Sequence, residues 1–182
     1  MESLNTILDI ASSQLPKAGI DCILIGGFAV NHYGYTRSTL DIDFMIFAEE
    51  LDAVRTIMVH AGFTNIVIED VVAFFETPNS ALRVDFLRVD KNTIQKINKH
   101  SVTANVHGYE LRVPSLKDLI SMKIFALSQN LALRMAKDLP DITYLCIMHN
   151  LDLITDIHPL CKKFGTDDIF DLICTQTEEL KK

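Results

Sequence analysis

The sequence has no apolar run near the ~18–20 residues that a bilayer-crossing helix needs, so no membrane span is expected. Its opening stretch, MESLNTILDIASSQLPKAG, lacks the basic leader and small-residue cleavage site of a secretory signal. That stretch reads instead as an amphipathic helix, with Leu4, Ile7, Leu8 and Ala11 at helical spacing and Leu15 extending the stripe. Cysteine is sparse (Cys22, Cys146, Cys161, Cys174) and forms no C-x-x-C pair, so buried reduced thiols are expected rather than disulfides or zinc ligands. Such usage suits a cytoplasmic protein. The histidines show no H-x-x-E-H or H-x₃-H spacing, which leaves zinc chemistry without support. Neither a G-x-S-x-G elbow nor a Walker A lysine is present. Basic residues are outnumbered and the formal net charge is −7. A surface that grips nucleic acid throughout is thereby excluded, because phosphate contacts need Lys and Arg. A local basic patch and a cationic substrate both remain open, and nucleic acid as a partner is not favoured.

What is present is a globular balance, with 48% apolar and 23% charged residues over 182 positions. That length holds one domain, or a core with a helical appendage. No repeat or low-complexity segment occurs. After the first helix, DCILIGG reads as a short buried strand and GGFAVNHYG as a helix opened by glycines and closed by Gly34. LDIDFMIF is a strand, and EELDAVRTIMVHAG a helix closed by Gly62. Strands are expected at TNIVIE, VVAFFET and LRVDFLRV, the last two joined by a turn at PNSA. A short helix over 92–99 and a hairpin turned at His107-Gly108 complete an α/β region. Ser115-x-x-Asp118 then reads as a capping box opening a helix to about Gln129, followed by helical patterns over 134–149, 152–163 and 167–180. The expected fold class is thus α/β (α+β): a mixed β-sheet flanked by helices, then a C-terminal helical region. The boundaries are 1–113 for the core and 114–182 for the helical region, which is expected to pack on the core.

Side chains alternate faces along a strand, so Asp41 and Asp43 point one way while Ile42, Phe44 and Ile46 point the other. Taken alone, D-x-D reads equally as two solvated aspartates at a strand end. In ALRVDFLRV, however, Asp85 shares a face with Arg83 and Leu87, opposite Leu82, Val84 and Phe86. A third carboxylate beside the first two is costly unless a cation neutralises it, and hard oxygen ligands suit Mg²⁺ or Mn²⁺. Gly26-Gly27 follows a strand and opens a helix, where glycine lets a phosphate approach free backbone N–H groups. Together these features describe a site for a nucleoside triphosphate with metal ions.

Strand, Gly-Gly, helix, D-x-D strand and a later single-Asp strand resemble the nucleotidyltransferase superfamily of DNA polymerase β type. LIGGFAVNHYGYTRSTLDIDFMI fits its first motif and RVDFL its second. PSLKDLISMKIFAL…RMAKDLPDI is similar to the helical part of small bacterial members such as the AbiEii-type toxins. The resemblance implies a nucleotidyltransferase fold in which Asp41, Asp43 and Asp85 are catalytic and hold two divalent ions, Mg²⁺ or Mn²⁺. It makes Asp85 a candidate general base, and Gly26 and Gly27 the cradle for the NTP phosphates. Asn31 or Arg37 would add a donor, although Arg37 reads equally as a solvated loop residue. Gly-Gly stands where many members carry Gly-Ser, leaving the phosphate contacts to backbone.

Lys123 lies within the apolar stripe formed by Leu116, Ile120 and Leu127 of its helix. Its ammonium either snorkels to water or reaches triphosphate or the carboxylate cluster, as the lysine of the DLIxMK segment does in the resembled family. Lys137, Asp138 and Asp141 form KDLPDI. Pro140 there suggests the first turn of a new helix with Asp138 as its cap, while the resemblance places the three on the acceptor side. The expected activity is metal-dependent transfer of an NMP from NTP to an acceptor hydroxyl, on RNA, protein or a small molecule such as an antibiotic. An antitoxin protein is a partner that the resemblance implies. The alternative is a non-catalytic nucleotide-binding or protein-interaction member of the same fold.

Overall fold

Apolar residues two apart along Ile42, Phe44 and Ile46, matched by Val84 and Phe86, commit two segments to strands with one face inside the protein. In the computed structural model, which describes residues 2–78 and 82–181, these side chains are all buried. The elements in chain order are α1 (Glu2–Asp9), a π-turn (Ile10–Gln14), α2 (Leu15–Lys17), β1 (Ile23–Leu24), α3 (Gly26–His32) and β2 (Asp41–Phe47). A 3₁₀ turn (Ala48–Glu50) then leads into α4 (Leu51–His60), β3 (Asn65–Ile68), β4 (Val72–Glu76), β5 (Arg83–Val89), α5 (Lys91–His100), β6 (Val102–Val106) and β7 (Tyr109–Val113). The helical region holds α6 (Leu116–Gln129), α7 (Leu131–Met148), a π-turn (Leu153–Ile157), α8 (His158–Phe164) and α9 (Asp167–Leu180). Among the described residues no helix is long and apolar enough to cross a membrane. The expected PNSA turn falls largely on residues 79–81, outside the described residues.

The chain divides into two compact units, residues 1–32 with 37–115 and residues 33–36 with 116–182. The first unit carries a seven-stranded mixed sheet in the order β3-β4-β5-β2-β1-β7-β6. β2 runs parallel to β5 and β1 parallel to β7, while the other pairs are antiparallel. Rings from three adjacent strands form the centre of its core. Phe44 stacks on Phe86 at 5.6 Å between centroids, and Phe75 meets Phe86 edge-on at 5.5 Å. The expected hairpin turn is present, with His107 at φ 51° and Gly108 at φ 89°. Two successive left-handed residues are the signature of a type I′ turn, whose twist matches that of the flanking strands. Asp90 caps α5 by accepting from the Thr93 hydroxyl and from the backbone N–H of Thr93 and Asn92, and this hydrogen bonding holds its carboxyl below the usual range.

In the second unit, α6 packs on α7 and α8, and α7 on α9. Asn130 caps α7 by accepting from Leu133 N–H at 3.2 Å, and Thr166 caps α9 by accepting from Ile169 N–H at 3.3 Å. Here one expectation is corrected. Pro140 does not open a new helix and Asp138 is not a cap, because α7 runs unbroken from Leu131 to Met148 with the proline inside it. Burial of Leu139, Ile142, Leu145 and Cys146 holds the helix through the position whose nitrogen donates no hydrogen bond. All four thiols are free, and burial pushes those of Cys146 and Cys161 up to about 12.

The short segment 33–36 belongs to this second unit although it follows α3 in sequence. Tyr35 stacks on Tyr144 with centroids 4.3 Å apart and planes 12° from parallel. His149 Nε2 donates to the Tyr33 carbonyl at 2.8 Å, and the two rings meet edge-on. Gly34, at φ 98°, lies against Met148, whose Cε would be 2.9 Å from a Cβ at that position.

Candidate active site

Parallel pairing of β2 with β5 sets Asp41 opposite Arg83 and Asp43 opposite Asp85. Since residues two apart on a strand share a face, the three carboxylates and Arg83 all project from the same side of the sheet. The opposite side is apolar core, so the polar character of this face is fixed by register. Arg83 offsets part of this negative charge. Its Nε donates to Asp85 Oδ1 at 2.7 Å and its Nη2 to Asp85 Oδ2 at 2.8 Å, a bidentate pair. Nη2 also lies 3.5 Å from Asp41 Oδ2. The hydrogen bond to Asp85 raises the guanidinium further above its ordinary range, outweighing partial burial. From the other side, the guanidinium carbon stands 4.9 Å from the Phe74 ring centroid, a cation–π contact.

The turn between β1 and α3 closes against this face. Ile25 N–H donates to the Asp43 carbonyl at 2.8 Å, and the next residue, Gly26, takes φ +61°. A Cβ at Gly26 would overlap the Asp43 carboxylate, so only glycine lets the backbone come this close. At Gly27 a Cβ would stand 3.0 Å from the Thr39 side chain. Gly26→Ala is therefore expected to cost about 2 kcal/mol or more, combining left-handed strain of about 1–2 kcal/mol with the displaced carboxylate. Gly27→Ala should cost less, because Gly27 is not left-handed and the nearest Thr39 atoms stand 3.0 Å away. Thermal unfolding of the two variants checks the order.

The loop before β2 is held by Asn31. Its Nδ2 donates to the Arg37 carbonyl at 3.1 Å, and its Oδ1 accepts from Arg37 N–H at 3.0 Å. Thr39 Oγ1 donates to the Asp41 carbonyl at 3.1 Å. Asn31 thus spends both ends of its amide on shaping the loop. Arg37 Nη1 reaches the neighbouring Ser38 carbonyl at 3.4 Å.

Beside Arg83, a groove lined by Asn65, Val67, Glu69, Phe74, Glu76 and Arg83 continues the same sheet face. The pairing is continuous across it: Phe74 lies opposite Asp85 and Val67, and Glu76 opposite Arg83 and Asn65. Glu76 Oε2 accepts from Asn65 Nδ2 at 2.7 Å.

Lys123, Asp138 and Asp141 come together in the second unit. Lys123 Nζ lies 2.8 Å from Asp138 Oδ1 and 2.7 Å from Asp141 Oδ2. All three are buried, Asp141 completely. The lysine on the apolar stripe of α6 is therefore neutralised by carboxylates spaced i, i+3 on α7, so it does not snorkel to water. Arg134 Nη1 stands 3.7 Å from Asp138 Oδ2 at the edge of the cluster. Lys137, between Asp138 and the solvent-facing residues, is half-buried and outside these pairs.

In donor chemistry and strand register, Asp41, Asp43 and Asp85 fit a hard divalent ion. As the side chains are placed, the described residues gather no three acidic, histidine or cysteine groups into a set able to hold one. In that placement Arg83 occupies both oxygens of Asp85. Sequence reasoning had anticipated a cation here but not that the chain supplies one. The signal was available, because Arg83 shares a face with Asp85 two residues on.

The sequence profile described as nucleotidyl transferase AbiEii toxin, type IV TA system, matches residues 11–175. No curated protein matches the chain. Among solved structures it is similar to the antibiotic-resistance factor ANT(2'')-Ia, at 14% identity and a TM-score of 0.59, over all of this chain and 95% of that one. It is also similar to an antigenic nucleotidyltransferase-like protein from Paracoccidioides brasiliensis (17% identity, TM-score 0.58, 94% of this chain and 92% of that one). A third likeness is to the lincosamide antibiotic adenylyltransferase LnuA with lincomycin bound (17% identity, TM-score 0.57, 81% and 96%). At such identities the shared feature is the nucleotidyltransferase fold. With a profile that spans most of its length and with that fold, the chain belongs to the AbiEii family of nucleotidyl transferase toxins of type IV toxin–antitoxin systems.

Proposed function

We propose that the protein transfers a nucleoside monophosphate from an NTP to an acceptor hydroxyl. The acceptor oxygen bonds to the α-phosphorus as the bond to the bridging oxygen breaks, and pyrophosphate leaves. The observation that carries this reading is the face shared by Asp41, Asp43 and Asp85, with the Gly26 backbone pressed against Asp43. Two divalent ions held by these carboxylates would supply charge neutralisation and an activated hydroxyl. The chain's own residues do the rest. Gly26 and Gly27 keep side chains away from the turn so that phosphate oxygens can approach backbone N–H groups. Asn31 holds the 37–40 loop in place ahead of Asp41. Asp85, the more buried of the Arg83-bound carboxylates, would receive the hydroxyl proton once Arg83 releases one of its oxygens. In-line phosphoryl transfer asks mainly for this kind of positioning.

Family membership supports a toxin that acts in the presence of an antitoxin partner. Titration calorimetry with each of the NTPs and Mg²⁺ should show metal-dependent binding of at least one. Incubating the protein with cell extract and labelled NTP should then place label on RNA, on protein or on a small molecule, which identifies the acceptor class. Failure to bind any NTP would leave a non-catalytic interaction protein as the better reading.

A further inference from the structure

We propose that Arg83 is a built-in counter-cation with two seats: on Asp85 and Asp41 when no divalent ion is bound, and turned along the adjoining groove toward Glu76 when one is. The inference rests on the assignment of the three carboxylates as metal ligands. Three features of the first unit support it. Arg83 engages both oxygens of Asp85 and reaches Asp41, so the carboxylates are not gathered for an ion while it stays there. A second acidic residue is set beside it by register. While paired with Asp85 the guanidinium lies over the Phe74 ring, and Glu76 is the residue directly opposite Arg83 on β4, in a groove that Arg83 itself lines. The side chain is also partly open to solvent, at 38%, so it can rotate without disturbing the core.

The physical logic is charge balance. Three carboxylates on one face repel, and in the metal-free protein the guanidinium offsets that repulsion. A guanidinium in contact with the ligands opposes a dication in the same place, because like charges repel and the oxygens cannot serve both fully. Moving Arg83 toward Glu76 removes that opposition and keeps the arginine paired. The device sets the threshold at which metal enters the site, and it guards Asp85 until metal arrives.

The test is Mn²⁺ binding to the whole chain, followed by the free-ion paramagnetic resonance signal, with and without ATP. In Arg83→Gln, Mn²⁺ should bind at least about tenfold more tightly than in the natural protein, since a positive charge in direct contact is gone. The same variant should melt lower without metal and regain the loss on adding Mn²⁺. In Glu76→Gln, which keeps Arg83 but weakens its second seat, Mn²⁺ should bind about two- to fivefold more weakly. Unchanged or weaker Mn²⁺ binding in Arg83→Gln overturns the proposal, and so does unchanged binding in Glu76→Gln. Should Arg83→Gln fold poorly, Arg83→Lys provides the same reading, as lysine cannot make the bidentate pair and should also bind Mn²⁺ more tightly. An Asp43→Asn control separates the two levels. Mn²⁺ binding that is lost in this control but unaffected at Arg83 leaves the carboxylate assignment standing and rejects the counter-cation. Binding that is absent or insensitive to Asp43 rejects both.

Discussion

Lys123→Met is expected to lower the stability of the protein by about 3–5 kcal/mol, the usual cost of removing one partner from a buried ionic cluster. Both carboxylates that it contacts, Asp138 and Asp141, are buried, and its Nζ lies within 3 Å of an oxygen of each. Arg134 is farther from Asp138, at 3.7 Å, and largely exposed, so it makes up little of the deficit. Methionine preserves the length and apolar stem of the lysine, which isolates the charge from the packing. Urea unfolding gives the free energy. The double variant Lys123→Met with Asp141→Asn should recover part of the loss, because the charge left uncompensated is then smaller. Recovery in the double variant is the result that a simple packing defect would not produce.

Asp43→Asn should act in the opposite way, with a large effect on transfer and a small one on folding. The carboxylate is opposite Asp85 in register and borders the Gly26 turn, and asparagine fills the same volume. Removing one negative charge from a crowded acidic face relieves repulsion, so stability should hold or rise slightly. Transfer should fall by about 10³-fold or more, equivalent to about 4 kcal/mol of transition-state stabilisation. Label incorporation into the acceptor and a thermal melt, measured on the same preparation, check both halves. A variant that keeps transfer within about tenfold of the natural protein would remove Asp43 from the catalytic set.

Periodicity was enough to read the strands of the first unit and the carboxylates on them. Asp41, Asp43 and Asp85 needed only the two-residue alternation of a strand, and the His107-Gly108 turn only its residue types. What local pattern does not contain is which strands become neighbours. Pairing of residue 41 with 83 is a long-range fact, and with it comes the guanidinium that spans Asp85 and Asp41. The same holds for Lys123. Its position on an apolar stripe announced a buried ammonium, but its partners lie on another helix, and a proline in that helix had suggested a break. Asp138 and Asp141, spaced for one helix face, were the better guide to α7 than Pro140 was. Asn31 illustrates a third limit, since a polar residue near a phosphate motif reads as a ligand contact until its backbone partners are known.

The stacked tyrosines carry a practical consequence for anyone dividing this protein into pieces. A fragment starting at Leu116 would express four helices without Tyr33–Thr36, and Tyr144 would lose the ring that covers it. A fragment ending at Ser115 would carry that segment away from its unit. The gene therefore has no single position at which a cut yields both units intact. Split-protein complementation, fusion partners and limited proteolysis should be planned around a unit whose residues are discontinuous in the chain.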